Sequence, residues 1–292
     1  MALDTSKVKL PSSVVTEMVS KAKDFSTVAA LSTPTPQLFS NADYMLFNGK
    51  SEAEVVEEGA KKGAYEQTLS YVTGKRVKLV TTTRVTDELK WADEDNRLEI
   101  IKAIQHDQLE ALGRAIDYVI YHAVNPKTGS KLSGYTALTA GAQSVTATDD
   151  EVANIDAMAD ALMEYNINGI AISRPFASSL RKLRVPATGL RLYPEIPLSL
   201  NAGNLDGIPA ATSGTVNGRL CADETKVRAI MGDFDTIKWG MVRDIWAEVI
   251  EYGDPDNTGA DLKGTNQVAY RTESVFSYAL LDPKAFCVLK SA

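Results

Sequence analysis

The chain has 292 residues, 44% of them hydrophobic and 24% charged, with a net charge of −7. A chain of this length can bury roughly 75% of its unfolded surface in one large or two modest domains, and no run approaches the roughly 18 apolar residues that cross a bilayer. Cys221 and Cys287 are too few and too far apart for a disulfide framework or a metal knuckle, and the scattered basic residues argue against a phosphate-gripping face and tight DNA binding.

The opening "MALDTSKVKLPSSVV" has neither an apolar core nor a small-residue cleavage site, so synthesis in a cytoplasm is expected. Residues 1–40 resemble an arm, with a short amphipathic set at Val14, Val15, Met18, Val19 and Ala22. The extended "STPTPQLF" follows, its prolines excluding helix. From Tyr44 to Glu58 the chain reads as extended, and "AKKGAY" supplies a turn. From Leu69 to Val85 apolar or β-branched residues then fall on odd positions, the period of a strand. Gly74 sits in this run without changing its phase, as a bulge or the centre of a hairpin loop. A two-stranded ribbon is marginal in water unless one face is covered, so something else must cover this one.

Residues 93–124 are predicted as one long helix. Its acidic "DED" suits the positive end of the dipole, Leu98 to Ala123 form a stripe, and Asn125 and Pro126 stop it. A second unit opens with a capping box from Thr148 to Glu151 and a helix burying Val152, Ile155, Met158, Ala159 and Leu162. "GIAIS" reads as a buried strand, Ser173 caps a further helix with Pro175 in its first turn, and strand-like runs return from Ile208 to the end.

No motif carries chemistry. "GKS" at 49–51 lacks the glycine a phosphate-binding loop needs at position 44, where Tyr stands. "DPDNTGAD", from Asp254, lacks the glutamate of a calcium loop and reads as a solvated turn. His106 and His122 lie about 24 Å apart along one helix and cannot share a metal. No G-x-S-x-G is present, and no cofactor is expected.

The ordered segments "VVEEGAKKGAYEQT", "RVTDELKWADED", "GIAISRPFASSLRKLR", "LDGIPAAT", "MGDFDTIKWGMVRDIWAEV" and "NQVAYRTESVFSYALLDPKAFCVL" resemble the major capsid proteins of tailed double-stranded DNA bacteriophages. The resemblance spans nearly the whole chain. It implies an α+β fold: an N-terminal arm with its first strand (1–48), an extended β-ribbon loop (49–88), a peripheral domain (89–147 and 243–274) with a spine helix at about 93–124, and an axial α/β domain (148–242 and 275–292). The implied function is self-assembly as pentamers and hexamers into an icosahedral shell enclosing double-stranded DNA, with scaffolding, portal and decoration proteins as partners. Alternatives are an encapsulin-like compartment shell, a tail or decoration protein, and an α/β enzyme.

Some relatives weld their shells by an isopeptide bond. Lys62, Asn266 and Glu273 resemble the lysine, asparagine and glutamate involved, although the same positions look similar in members that do not crosslink. A solvated Lys62 and a turn at Asn266 are the plainer readings. Glu58, Lys62, Arg84, Arg243 and Arg271 are candidate interface residues, with screened surface charges as the alternative.

Overall fold

The computed structural model describes residues 26–35, 43–47, 53–64, 69–96 and 100–291; the expected amphipathic set at Val14–Ala22 lies outside them. A short helix, α1 (Thr27–Leu31), is followed by strands β1 (Asp43–Phe47), β2 (Leu69–Thr73) and β3 (Lys75–Thr86). Helices α2 (Asp87–Asn96) and α3 (Ile100–Asp117) come next, and α3 continues into a π-helical turn over Tyr118–His122. The α/β portion contains α4 (Leu138–Gly141), β4 (Gln143–Thr146), α5 (Glu151–Ala161), β5 (Gly169–Ile172) and α6 (Arg174–Lys182). It goes on through β6 (Asn204–Leu205), β7 (Ile208–Thr212) and β8 (Val227–Gly232). Two long strands, β9 (Ile237–Ile250) and β10 (Gln267–Leu280), precede the last strand, β11 (Phe286–Lys290).

Among the described residues there are three sheets: the β1–β2 ribbon, a three-stranded sheet in the order β3-β10-β9, and a six-stranded sheet in the order β4-β11-β8-β5-β7-β6. The period-two run from Leu69 to Val85 is indeed strand, but it belongs to two sheets. Before Gly74 it pairs with β1, Tyr71 opposite Met45; after Gly74 it pairs with β10, Val77 opposite Phe276. Gly74 is therefore neither bulge nor hairpin centre. It is the buried point at which one strand passes from one partner to another.

The long helix also differs from expectation. Helix begins at Asp87, so Asp87 and Glu88 supply the acidic first turn, while "DED" (93–95) falls at the C-terminal end of α2. The dipole argument holds, but for the earlier carboxylates. At the other end Ala123 takes φ 51° and closes the π turn before Asn125 and Pro126 are reached.

One core joins α3 to both larger sheets. Leu109, Leu112 and Ile116 meet Val77 and Leu79 of β3, Phe276 of β10 and Trp239 of β9, and the same cluster takes in Val28 of α1, Ile230 of β8 and Val288 of β11. The opposite face of the six-stranded sheet is covered by α5 and α6, where Met158, Leu162, Phe176 and Leu180 lie on Ile170, Ile172, Met231 and Leu289. Strands β5, β8 and β11 are thus buried on both faces, which is why "GIAI" and "FCVL" read as continuous apolar runs.

The α6 cap forms as expected, with Ser173 Oγ accepting from the Phe176 amide at 3.4 Å. The capping box at Thr148 does not. Asp150 caps α5 by accepting from the amides of Val152 and Ala153, and Asn154 Oδ1 takes the Thr148 amide at 2.7 Å. Glu151 is turned instead to Arg228. Asp150 thus takes the place of the Thr148 hydroxyl, and Asn154 the place of the Glu151 carboxylate.

Candidate functional site

The ribbon that the sequence marks as needing cover carries an uncovered apolar face. Paired residues of adjacent strands share a face, and here the pairs Met45–Tyr71 and Phe47–Leu69 stand together. Phe47 is 69% exposed, Tyr71 63%, Met45 52% and Leu69 50%. The other face, with Tyr44, Leu46, Ser70 and Val72, is half-buried. Four large apolar groups side by side are unlike the scattered single exposures of an ordinary surface.

The tip of this loop holds the first of the candidate residues. Glu58 lies in an exposed turn with Gly59 at φ 84°, and the described residues 53–57 form no strand. Neighbouring Lys62 is exposed, beside Gly63, whose amide donates to Glu54 Oε2 at 3.0 Å. Asn266 sits elsewhere, exposed in the left-handed region at φ 50°, where asparagine is tolerated. Its carbonyl accepts from the Asp87 amide at 3.0 Å, so it fixes the start of α2. Glu273 is buried in β10 and ion-paired to Lys78 of β3 at 2.8 Å, with Arg271 at 3.9 Å.

Arg84 is engaged within its own chain. It is ion-paired to Asp254 at 2.6 Å and to Asp256, and donates to the Ala260 carbonyl at 3.0 Å. Burial would raise Asp254, but the amides of Thr258 and Gly259, the Thr258 hydroxyl and Arg84 outweigh it and hold the carboxyl below its ordinary value. "DPDNTGAD" is a mostly exposed turn, as expected, and Arg84 pins it to β3. Arg271 donates to Thr82 Oγ1 at 3.1 Å and to the Pro255 carbonyl, buttressing the same loop. Arg243 is exposed, its guanidinium 4.1 Å from the centre of the Trp246 ring.

Sequence reasoning missed a buried carboxylate. Asp117, at the end of α3, accepts from Ser26 Oγ at 2.5 Å, Thr27 N at 3.0 Å, Thr27 Oγ1 at 2.8 Å, Val28 N at 3.2 Å and Thr215 Oγ1 at 2.6 Å. Burial pushes its pKa up, against the hydrogen bonds from Ser26, Thr215 and Thr27. A lone buried ion costs several kcal/mol in effective terms; here five donors, two of them amides at the positive end of α1, offset that cost. Next to it, His122 places Nε2 3.0 Å from the Thr215 carbonyl. No group of three or more metal-ligating side chains occurs among the described residues, nor is any described helix long and apolar enough to cross a membrane.

Comparison with solved structures gives the class. A structure from Mycobacterium phage Ogopogo is 32% identical with a TM-score of 0.83, covering 91% of this chain and 92% of that one. One from Gordonia phage Cozz is 28% identical with a TM-score of 0.77, covering 91% and 86%. The capsid of the native GTA particle, 14% identical with a TM-score of 0.62 and coverage of 100% and 94%, shares the fold. No curated protein matches. The chain belongs to the phage capsid family, whose model matches residues 7–291. It is a structural protein of the virion, one subunit of a multi-subunit capsid.

Proposed function

We propose that copies of this chain assemble as pentamers and hexamers into an icosahedral shell around double-stranded DNA. The observation that carries this reading is the uncovered face of Met45, Phe47, Leu69 and Tyr71, on a ribbon too small to be stable by itself. A neighbouring copy supplies the cover. The net charge of −7 suits a container that holds its cargo without adsorbing to it.

The division into arm (1–48), extended loop (49–88), peripheral domain (89–147 and 243–274) and axial domain (148–242 and 275–292) is part of the same proposal. So are synthesis in the host cytoplasm, a purely structural rather than enzymatic role, and scaffolding, portal and decoration proteins as partners. Negative-stain electron microscopy of the purified protein tests the reading. Closed shells or rings are expected, and particles recovered from infected cells should contain DNA. Monomers at every concentration, or shells filled with a cargo enzyme, would overturn it.

A further inference from the structure

Two turns in this chain are the same structure at different places. Residues 125–130 ("NPKTGS") follow the π turn, and residues 185–190 ("VPATGL") follow α6. Both carry proline second, threonine fourth and glycine fifth. In each, the first residue's amide donates to the sixth residue's carbonyl at 2.9 Å, Asn125 to Ser130 and Val185 to Leu190. The first carbonyl then accepts from the threonine amide at 3.2 Å and the glycine amide at 2.8 Å, in both copies. Each turn is flanked by one antiparallel bridge, Val124–Lys131 and Arg184–Arg191. The glycines agree as well, at φ 72° for Gly129 and 68° for Gly189.

Among the described residues only the first turn is covered. The Gly129 carbonyl accepts the Ala222 amide at 2.9 Å. A Cβ at Gly129 would lie 2.8 Å from both Ala222 N and Leu220 O, so the backbone of residues 220–222 lies across the glycine. At Gly189 a Cβ would meet nothing within 4 Å. Leu190 beside it is 68% exposed, and Leu198 of the same loop 73%. The flanking bridge sets Arg184 directly opposite Arg191, an arrangement that repels. Neither arginine has a carboxylate within ion-pair distance among the described residues.

We propose that the 185–190 turn is a docking site for an extended segment of a second copy of this chain. That segment seats its backbone on Gly189 as residues 220–222 seat theirs on Gly129, and sets a carboxylate against Arg184 and Arg191. A second copy is the occupant because the protein works among its own copies in a capsid. With 38 acidic against 31 basic residues, those copies also offer the complementary charge. The proposal rests on the shell reading above.

Replacing Leu190 with photoreactive benzoylphenylalanine in assembled full-length shells tests it. Irradiation should give a dimer-mass band whose crosslinked peptide comes from another copy and contains Asp or Glu. In parallel, Arg191→Glu should raise the concentration needed for assembly by about tenfold without lowering the melting temperature of the unassembled subunit, because a carboxylate opposite Arg184 removes a like-charge pair. If the wild-type chain assembles, monomer alone from the irradiated Leu190-substituted shells together with no Arg191→Glu effect would overturn the docking site alone. An adduct to a different polypeptide would also overturn it. Failure of the wild-type chain to assemble would overturn both this site and the shell reading.

Discussion

His122 shows how burial turns an ordinary side chain into a proton-sensitive one. Burial lowers its pKa against the pull of the Thr215 and Val216 backbone, so the folded chain holds the ring neutral where the unfolded chain would protonate it. The contribution is therefore fully present above the ordinary value of 6.5, and is lost as pH falls from there towards the lowered folded value. Denaturation midpoints of the unassembled subunit should drop between about pH 7 and 5, and His122→Gln should remove that part of the slope. Equal slopes for both chains would refute the assignment. The sequence placed His122 on a helix but gave no sign of the π turn that buries it. Arg84 was equally opaque, since its carboxylates lie 170 and 172 residues away.

Elements were legible where one local interaction decides them. Ser173 and Pro175 mark the start of α6 because cap and first turn lie within three residues. At Thr148 the same logic failed, because Asn154, six residues on, competes for the amide. Period two identified β2 and β3 as strand but could not show that Gly74 divides them between sheets, since partner choice depends on residues far away. The two P-x-T-G turns were present in the sequence at matching spacing, and a search for short internal repeats would have found them. The β1–β2 ribbon carries a prediction at this scale. Phe47→Ser with Tyr71→Ser removes groups that touch little in the subunit, so its stability should change by no more than about 0.5 kcal/mol. Shell formation, followed by sedimentation, should be abolished, because buried aromatics at interfaces are worth about 2 kcal/mol or more each. Normal shells from the double variant would show that the ribbon face is not an interface.

For the whole molecule, fold class and family were readable from the order of six segments, since order and spacing survive when each segment is degenerate. The covalent weld was not readable, because it needs atoms from different copies. Within one subunit Lys62 is at an exposed loop tip, while Glu273 is buried and engaged by Lys78 at 2.8 Å. We propose that the shell is held without covalent links. Particles boiled in denaturant and run on a gel should give a single monomer band. A ladder of multimers that disappears in Lys62→Arg would establish the weld instead.

Asp117 ties Ser26 and the start of α1 to the end of α3 and to the loop after β7 through one carboxylate. Mechanically it is a rivet through three plates. A pull on the chain ahead of Ser26 is passed at once into the helix and into the α/β portion, without travelling through the ribbon.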